Sequence, residues 1–225
     1  MHKVHIMFLL MLFTTINTLY SQECGPSCPV CSGTGESGGT LLSPKSLLIS
    51  GIAIPTSDED KGVVNLRYGV TKWLDIGAGY TINTKKPLWS LRVSPLSENE
   101  DGWRPGVILG TGSVQTGGND QSVFAQLTKS WEFSEGFAMR VSGGVASLIP
   151  DFNKIYGVAG LTLTVTERVS PFVSFDGKNL HFGLAWIPVD WMTIGGLLVE
   201  SKYAAVSLGF RWSFAKPEAE SPGTI

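Results

Sequence analysis

The chain reads as an all-β protein: a closed antiparallel transmembrane β-barrel of about twelve strands, preceded by a signal peptide and a short Cys/Gly-rich segment. Three observations predict this. Past Lys45, apolar and polar side chains alternate in short runs, and alternation puts the two kinds on opposite faces of a strand. The runs recur every ~14 residues, which fits crossing strands of ~9–11 residues plus short turns. Beyond the N-terminal segment no stretch of ~18 uninterrupted apolar residues occurs, so a spanning helix is excluded and only a closed sheet could cross a bilayer.

Residues 1–21 read as a secretory signal. Basic Lys3 precedes the apolar run Ile6 to Phe13, polar Thr14, Thr15, Asn17 and Thr18 follow it, and Ser21 is the expected last residue before cleavage. Residues 22–44 read as a flexible lead rich in Cys, Gly and Ser, 45–214 as the barrel, and 215–225, with Pro217 and Pro222, as a disordered tail. Charged residues make up 16 % of the chain and the formal net charge is −2, a balance that excludes nucleic acid as a partner.

Twelve runs are expected, at 46–54, 62–70, 73–82, 87–95, 104–113, 121–131, 136–147, 155–166, 168–175, 179–187, 190–199 and 203–214, with ten strands as the alternative count. Val64, Leu66 and Tyr68 oppose Asn65 and Arg67; Trp89, Leu91 and Val93 oppose Ser90, Arg92 and Ser94. Met139 and Val141 oppose Arg140 and Ser142, and Leu161, Leu163 and Val165 oppose Thr162, Thr164 and Thr166. The runs at 168–175 and 190–199 carry apolar residues on both faces and alternate less clearly. An even count puts both chain ends on one side, the periplasmic side in barrels of this kind. Trp73, Trp103, Trp131, Trp186, Trp191 and Trp212 then fall at that side, whereas Trp89, Tyr80, Tyr156 and Tyr203 fall at the other. Amphipathic rings favour the membrane–water boundary, so this banding predicts an interfacial girdle.

The final strand carries Val206, Leu208, Phe210, Trp212 and Phe214 on one face and Ser207, Gly209, Arg211 and Ser213 on the other. Its Ser207, Gly209, Trp212 and Phe214 resemble the C-terminal assembly signal of bacterial outer-membrane barrels, although here a tail follows the terminal Phe. The segment from Tyr68 to Tyr80, turning at Thr71-Lys72, is similar to a strand–turn–strand unit of the same class. The resemblance implies the bacterial outer membrane as location, and membrane lipid and the barrel-assembly machinery as partners. It implies no particular solute.

With the polar faces turned inward, the lumen receives Arg67, Arg92, Arg140 and Arg211, with Asp75 as the clearest inward acid. Arginine stays charged at working pH and pairs well with carboxylates and phosphates, so these cations would favour anions in a narrow passive channel. Small inward residues, among them Gly77, Ser90, Gly144, Gly160, Gly183 and Gly209, leave room for water. The alternative is a barrel filled by its own side chains, acting as an envelope scaffold or binding protein. An outer-membrane hydrolase is the third class, and the chain is not expected to be an enzyme. No Gly-x-Ser-x-Gly elbow or His-Glu-x-x-His pair is present, and the sole histidine after the signal, His181, reads as a lumen side chain bonded to a neighbour. The run Asp58-Glu59-Asp60 reads as a solvated turn.

Cys24, Cys28 and Cys31 precede the barrel. The part from Cys28 to Gly35 is similar to one repeat of the Cys-x-x-Cys-x-Gly-x-Gly zinc modules of certain chaperones, but three thiols fall short of the four ligands a closed zinc site needs. Ser32, not histidine, directly follows Cys31, so covalent haem is not expected either, and no cofactor or metal is assigned. In an oxidising compartment a disulfide or redox contact suits these residues, leaving an odd thiol able to join a periplasmic partner. Lipidation at Cys24 is a further reading, and Gln22-Glu23 before it suits that poorly.

Overall fold

The computed structural model describes residues 41–57, 62–99, 102–113, 120–150 and 152–214. The signal segment, Cys24, Cys28, Cys31, Asp58-Glu59-Asp60 and the tail beyond Phe214 lie outside the described residues.

Twelve strands follow one another: β1 Ser46–Ala53, β2 Gly62–Thr71, β3 Leu74–Thr81, β4 Pro87–Leu96, β5 Gly106–Gly112 and β6 Ser122–Ser134, then β7 Phe137–Leu148, β8 Ile155–Thr164, β9 Val169–Phe175, β10 Leu180–Val189, β11 Met192–Val199 and β12 Tyr203–Ser213. Each pairs antiparallel with its sequence neighbours, and β12 returns to β1 to close the barrel. The expected runs and the observed strands coincide one for one, and the count is twelve. Closure runs from Ser46 opposite Ser213 to Ala53 opposite Val206, so the segment that resembles the assembly signal supplies the closing edge. Phe214 donates its N–H to the Lys45 carbonyl at 2.8 Å, which puts both ends of the barrel at one rim. That rim is called terminal below and the other distal.

Exposed and buried positions alternate along the strands. Val64, Leu66, Tyr68 and Val70 on β2, and Leu180, Phe182, Leu184 and Trp186 on β10, are exposed on the outside, as are Val206 and Leu208 on β12. An apolar outer face is the one that a membrane barrel turns toward lipid. Every strand-to-strand edge is paired, as hydrocarbon requires of any backbone that crosses it.

The interior is more apolar than simple alternation predicts. Ile52, Ile54, Val63, Leu88, Phe172, Ala185, Ile187, Leu197, Val199 and Ala205 form one buried cluster, and Ile108, Phe124, Ala146 and Val158 form a second. The two draw on every strand except β3. This explains the weak alternation of β9 and β11: Phe172 on β9, and Leu197 and Val199 on β11, are apolar because they face this interior cluster. Parity also corrects two girdle assignments. Tyr156 lies on the inward side with Val158 and Thr162, beneath the Lys178 ammonium at 5.7 Å. Tyr203 packs against the first interior cluster.

Candidate functional site

The inner wall is best followed along rows of register partners. One row runs Arg211–Leu48–Arg67–Gly77–Ser90 across β12, β1, β2, β3 and β4. The next runs Gly69–Asp75–Arg92–Gly110–Phe124 across β2 to β6. These two rows bring Arg67, Asp75 and Arg92 together on one wall. Arg67 donates from Nη2 to Asp75 Oδ2 in a buried ion pair whose side chains are 4 % and 0 % exposed. Arg92, 8 % exposed, stands opposite Asp75 in the register, and its guanidinium sits 5.8 Å from the Phe124 ring centre. Its Nε and Nη1 have no hydrogen-bond partner among the described residues. Two guanidiniums and one carboxylate leave the group at +1.

The other two arginines are engaged elsewhere. Arg140, on β7 across the barrel, donates from Nε to Ser130 Oγ at 2.9 Å. Ser130 in turn is held by Glu98, which accepts its N–H and also takes the Lys129 ammonium at 3.2 Å. Arg211 donates from Nη2 to Ser43 Oγ at 2.7 Å. The four arginines therefore form no even ring: three share the wall from β12 to β4 and one faces them.

The small inward residues do not leave the space expected of them. A Cβ at Gly183 would overlap the Phe172 ring, and one at Gly110 would come within 2.8 Å of Phe124 Cζ. At Gly77 it would meet the Arg67 side chain at 2.8 Å. Glycine is needed here because a large neighbour leans over it from the adjacent strand. Composition alone does not distinguish an empty glycine from a covered one.

At the distal rim the β9–β10 and β11–β12 turns meet at His181, which is buried. Its Nε2 lies 2.9 Å from Asp176 Oδ2, and the Glu200 N–H donates to its Nδ1 at 3.0 Å. A donated N–H leaves Nδ1 without a proton, so Nε2 carries it and donates to Asp176. Asp176 also accepts the N–H groups of Lys178 and Asn179 at 3.0 and 2.9 Å. Burial opposes its charge, but the bonds from His181, Asn179 and Lys178 outweigh that and hold the carboxyl below the usual aspartate range. Ser174 stands directly opposite His181 in the register. Both imidazole nitrogens are already committed, so this pair lacks the free base a serine nucleophile needs.

The six tryptophans of the expected girdle lie toward the terminal rim. Trp73 and Trp191 occupy hairpin turns, Trp103 a loop, and Trp131, Trp186 and Trp212 the terminal-side parts of β6, β10 and β12. Trp191, Phe210 and Trp212 stack in sequence, with ring centres 6.1 and 6.2 Å apart. Trp212 and Phe214 thus lie on the exposed side of the closing strand, and Ser207 and Gly209 on the buried side.

The sequence reading put residues 41–44 in the flexible lead of 22–44 and gave Leu42 and Ser43 no place against the barrel. Leu42 is buried and donates its N–H to Asp75 Oδ2 at 3.2 Å. The signal was legible in Ser43-Pro44-Lys45-Ser46, a turn with proline at its second position.

No protein-family model and no curated protein matches this sequence. Among solved structures the chain is similar to a KdgM porin, with a TM-score of 0.50 over 76 % of this chain and 99 % of that one, at 9 % sequence identity. The fold is that of a porin-like closed β-barrel. At this identity the likeness concerns architecture, and the porin-like barrel owes its interior chemistry to its own residues.

Proposed function

We propose that this porin-like barrel is an outer-membrane channel for small anionic solutes. The observation that carries the proposal is the Arg67–Asp75–Arg92 group. A buried guanidinium with unbonded donors is costly by several kcal/mol, and an incoming carboxylate or phosphate supplies what it lacks. Phe124 braces Arg92 from one side, which fixes the fork for such a partner. The apolar exterior supports an outer-membrane location, in which membrane lipid would lie against it, the tryptophans would mark the periplasmic interface and the closing strand would be presented to the assembly machinery. The cysteines would then lie in the periplasm, available to a partner there.

The test is conductance of the purified protein in a planar bilayer under a salt gradient. We expect single-channel steps with chloride favoured over potassium, and at least a twofold loss of that preference in Arg92→Glu. An unchanged permeability ratio refutes the assignment of Arg92.

A second reading, a filled barrel with a scaffold or binding role, draws on the two interior apolar clusters. A folded protein that stays silent under all voltages favours it. A hydrolase finds no support at His181, whose ring is held on both sides.

A further inference from the structure

We infer that residues 41–45 form a strap that closes the terminal mouth of the barrel and must leave it for solute to pass. The inference rests on the channel reading. It starts from a turn. Ser46 donates its N–H to the Ser43 carbonyl at 3.2 Å, Pro44 fills the second position, and Lys45 takes a φ of 57° at the third. This is the pattern of a type II turn, and it reverses the chain at the rim. Leu42 and Ser43 therefore fold back against the inside of the barrel instead of leading away from β1.

Three anchors hold them there. Leu42 N–H donates to Asp75 Oδ2 at 3.2 Å, Ser43 Oγ accepts from Arg211 at 2.7 Å, and Lys45 N–H donates to the Gly69 carbonyl at 2.7 Å. The anchors come from β3, β12 and β2, so the strap crosses that arc of the wall. The contact with β2 is backbone on backbone: a Cβ at Gly69 would overlap the Ser43 carbonyl oxygen and lie 3.0 Å from that of Leu42. Gly69 is thus a seat shaped for the strap. Its partner in the register is Asp75, the acid that also holds Arg67. Leu42 and Arg67 thus share one carboxylate oxygen, which ties the seat of the strap to the central ion pair. With the bond that Phe214 N–H gives the Lys45 carbonyl, four hydrogen bonds and one apolar side chain tie residues 41–45 to the wall, a small attachment beside the continuous pairing of the strands, so Leu42 and Ser43 can release while the barrel stays whole.

The test uses the full chain in lipid, with Cys24, Cys28 and Cys31 changed to Ser and Leu42→Cys as the reporter. Two changes unseat the strap: Gly69→Val by overlap, and the pair Ser43→Ala/Arg211→Ala by loss of an anchor. The pair guards against misfolding of the first. Labelling of Leu42→Cys by a water-soluble maleimide reports seating, and open probability in a planar bilayer reports passage. We expect both to rise together, at least tenfold for Gly69→Val and by a smaller factor for the pair. Unchanged labelling in both folded variants overturns the strap itself. Faster labelling with unaltered open probability in a conducting protein overturns its role as a gate. Silence of the parent and both variants, with labelling raised, overturns the channel reading and the gate with it, while separating that failure from the question of seating.

Discussion

Changing Asp75 to Asn removes the one negative charge between two buried cations. The carboxylate holds Arg67 and the Leu42 N–H through the same oxygen, and both side chains of the ion pair are almost fully buried. Breaking a buried pair by deleting one partner costs about 3–5 kcal/mol, because the survivor stays charged and away from water. An asparagine carbonyl oxygen has two lone pairs and can still accept from both donors, so the charge is what is lost, which puts the expected loss near the lower end, about 3 kcal/mol. The charge on Arg67, residue 75 and Arg92 meanwhile rises from +1 to +2. Urea unfolding of the lipid-embedded protein, followed by tryptophan fluorescence, should show a lower midpoint at unchanged slope. Arg67→Met/Asp75→Asn closes the cycle: if the pair is real, the double variant loses much less than the sum of the two single losses. A single-variant loss below about 1 kcal/mol, or strict additivity, refutes the reasoning that the pair organises this wall.

Further outcomes follow from the same structure. Gly183→Val forces a side chain into the Phe172 ring and should cost about 1–3 kcal/mol, and Phe172→Leu in the same chain should recover part of it; an equal loss in both would refute ring-over-glycine packing. His181→Ala removes the clasp between two distal turns, and hydrogen exchange at the Glu200 amide should then quicken by tenfold or more, with an unchanged rate as the contrary result. Because the Asp176 carboxyl is held below its ordinary range, it stabilises the fold above the unfolded value of about 4 and loses that contribution as pH falls below it; Asp176→Asn should flatten that acid limb in a pH series of unfolding midpoints. Glu98→Ala frees the Ser130 N–H at the β6 edge and should lower stability by about 1–3 kcal/mol, read by the same urea titration.

Sequence alone determined the barrel. Alternation on β2, β4 and β8 states which side meets lipid, because a period of two is a local property of the chain, whereas the choice of twelve strands over ten was made by pairing and closure. The terminal aromatics and the banded tryptophans are local in the same sense. Inward placement of Arg67, Arg92, Arg140, Arg211 and Asp75 follows from parity along single strands, and so does inward Tyr156 once Val158 and Thr162 are read with it. Tertiary structure decided what those inward groups do. Whether Arg67 faces water or Asp75, whether Gly183 is open or lies under Phe172, and whether Ser43 trails from β1 or returns to Arg211 depend on side chains from strands far apart in sequence. They are brought together by register and closure, which no single strand encodes. The strand wall is written one residue at a time, and the chemistry inside it is written between neighbours that only a closed sheet creates.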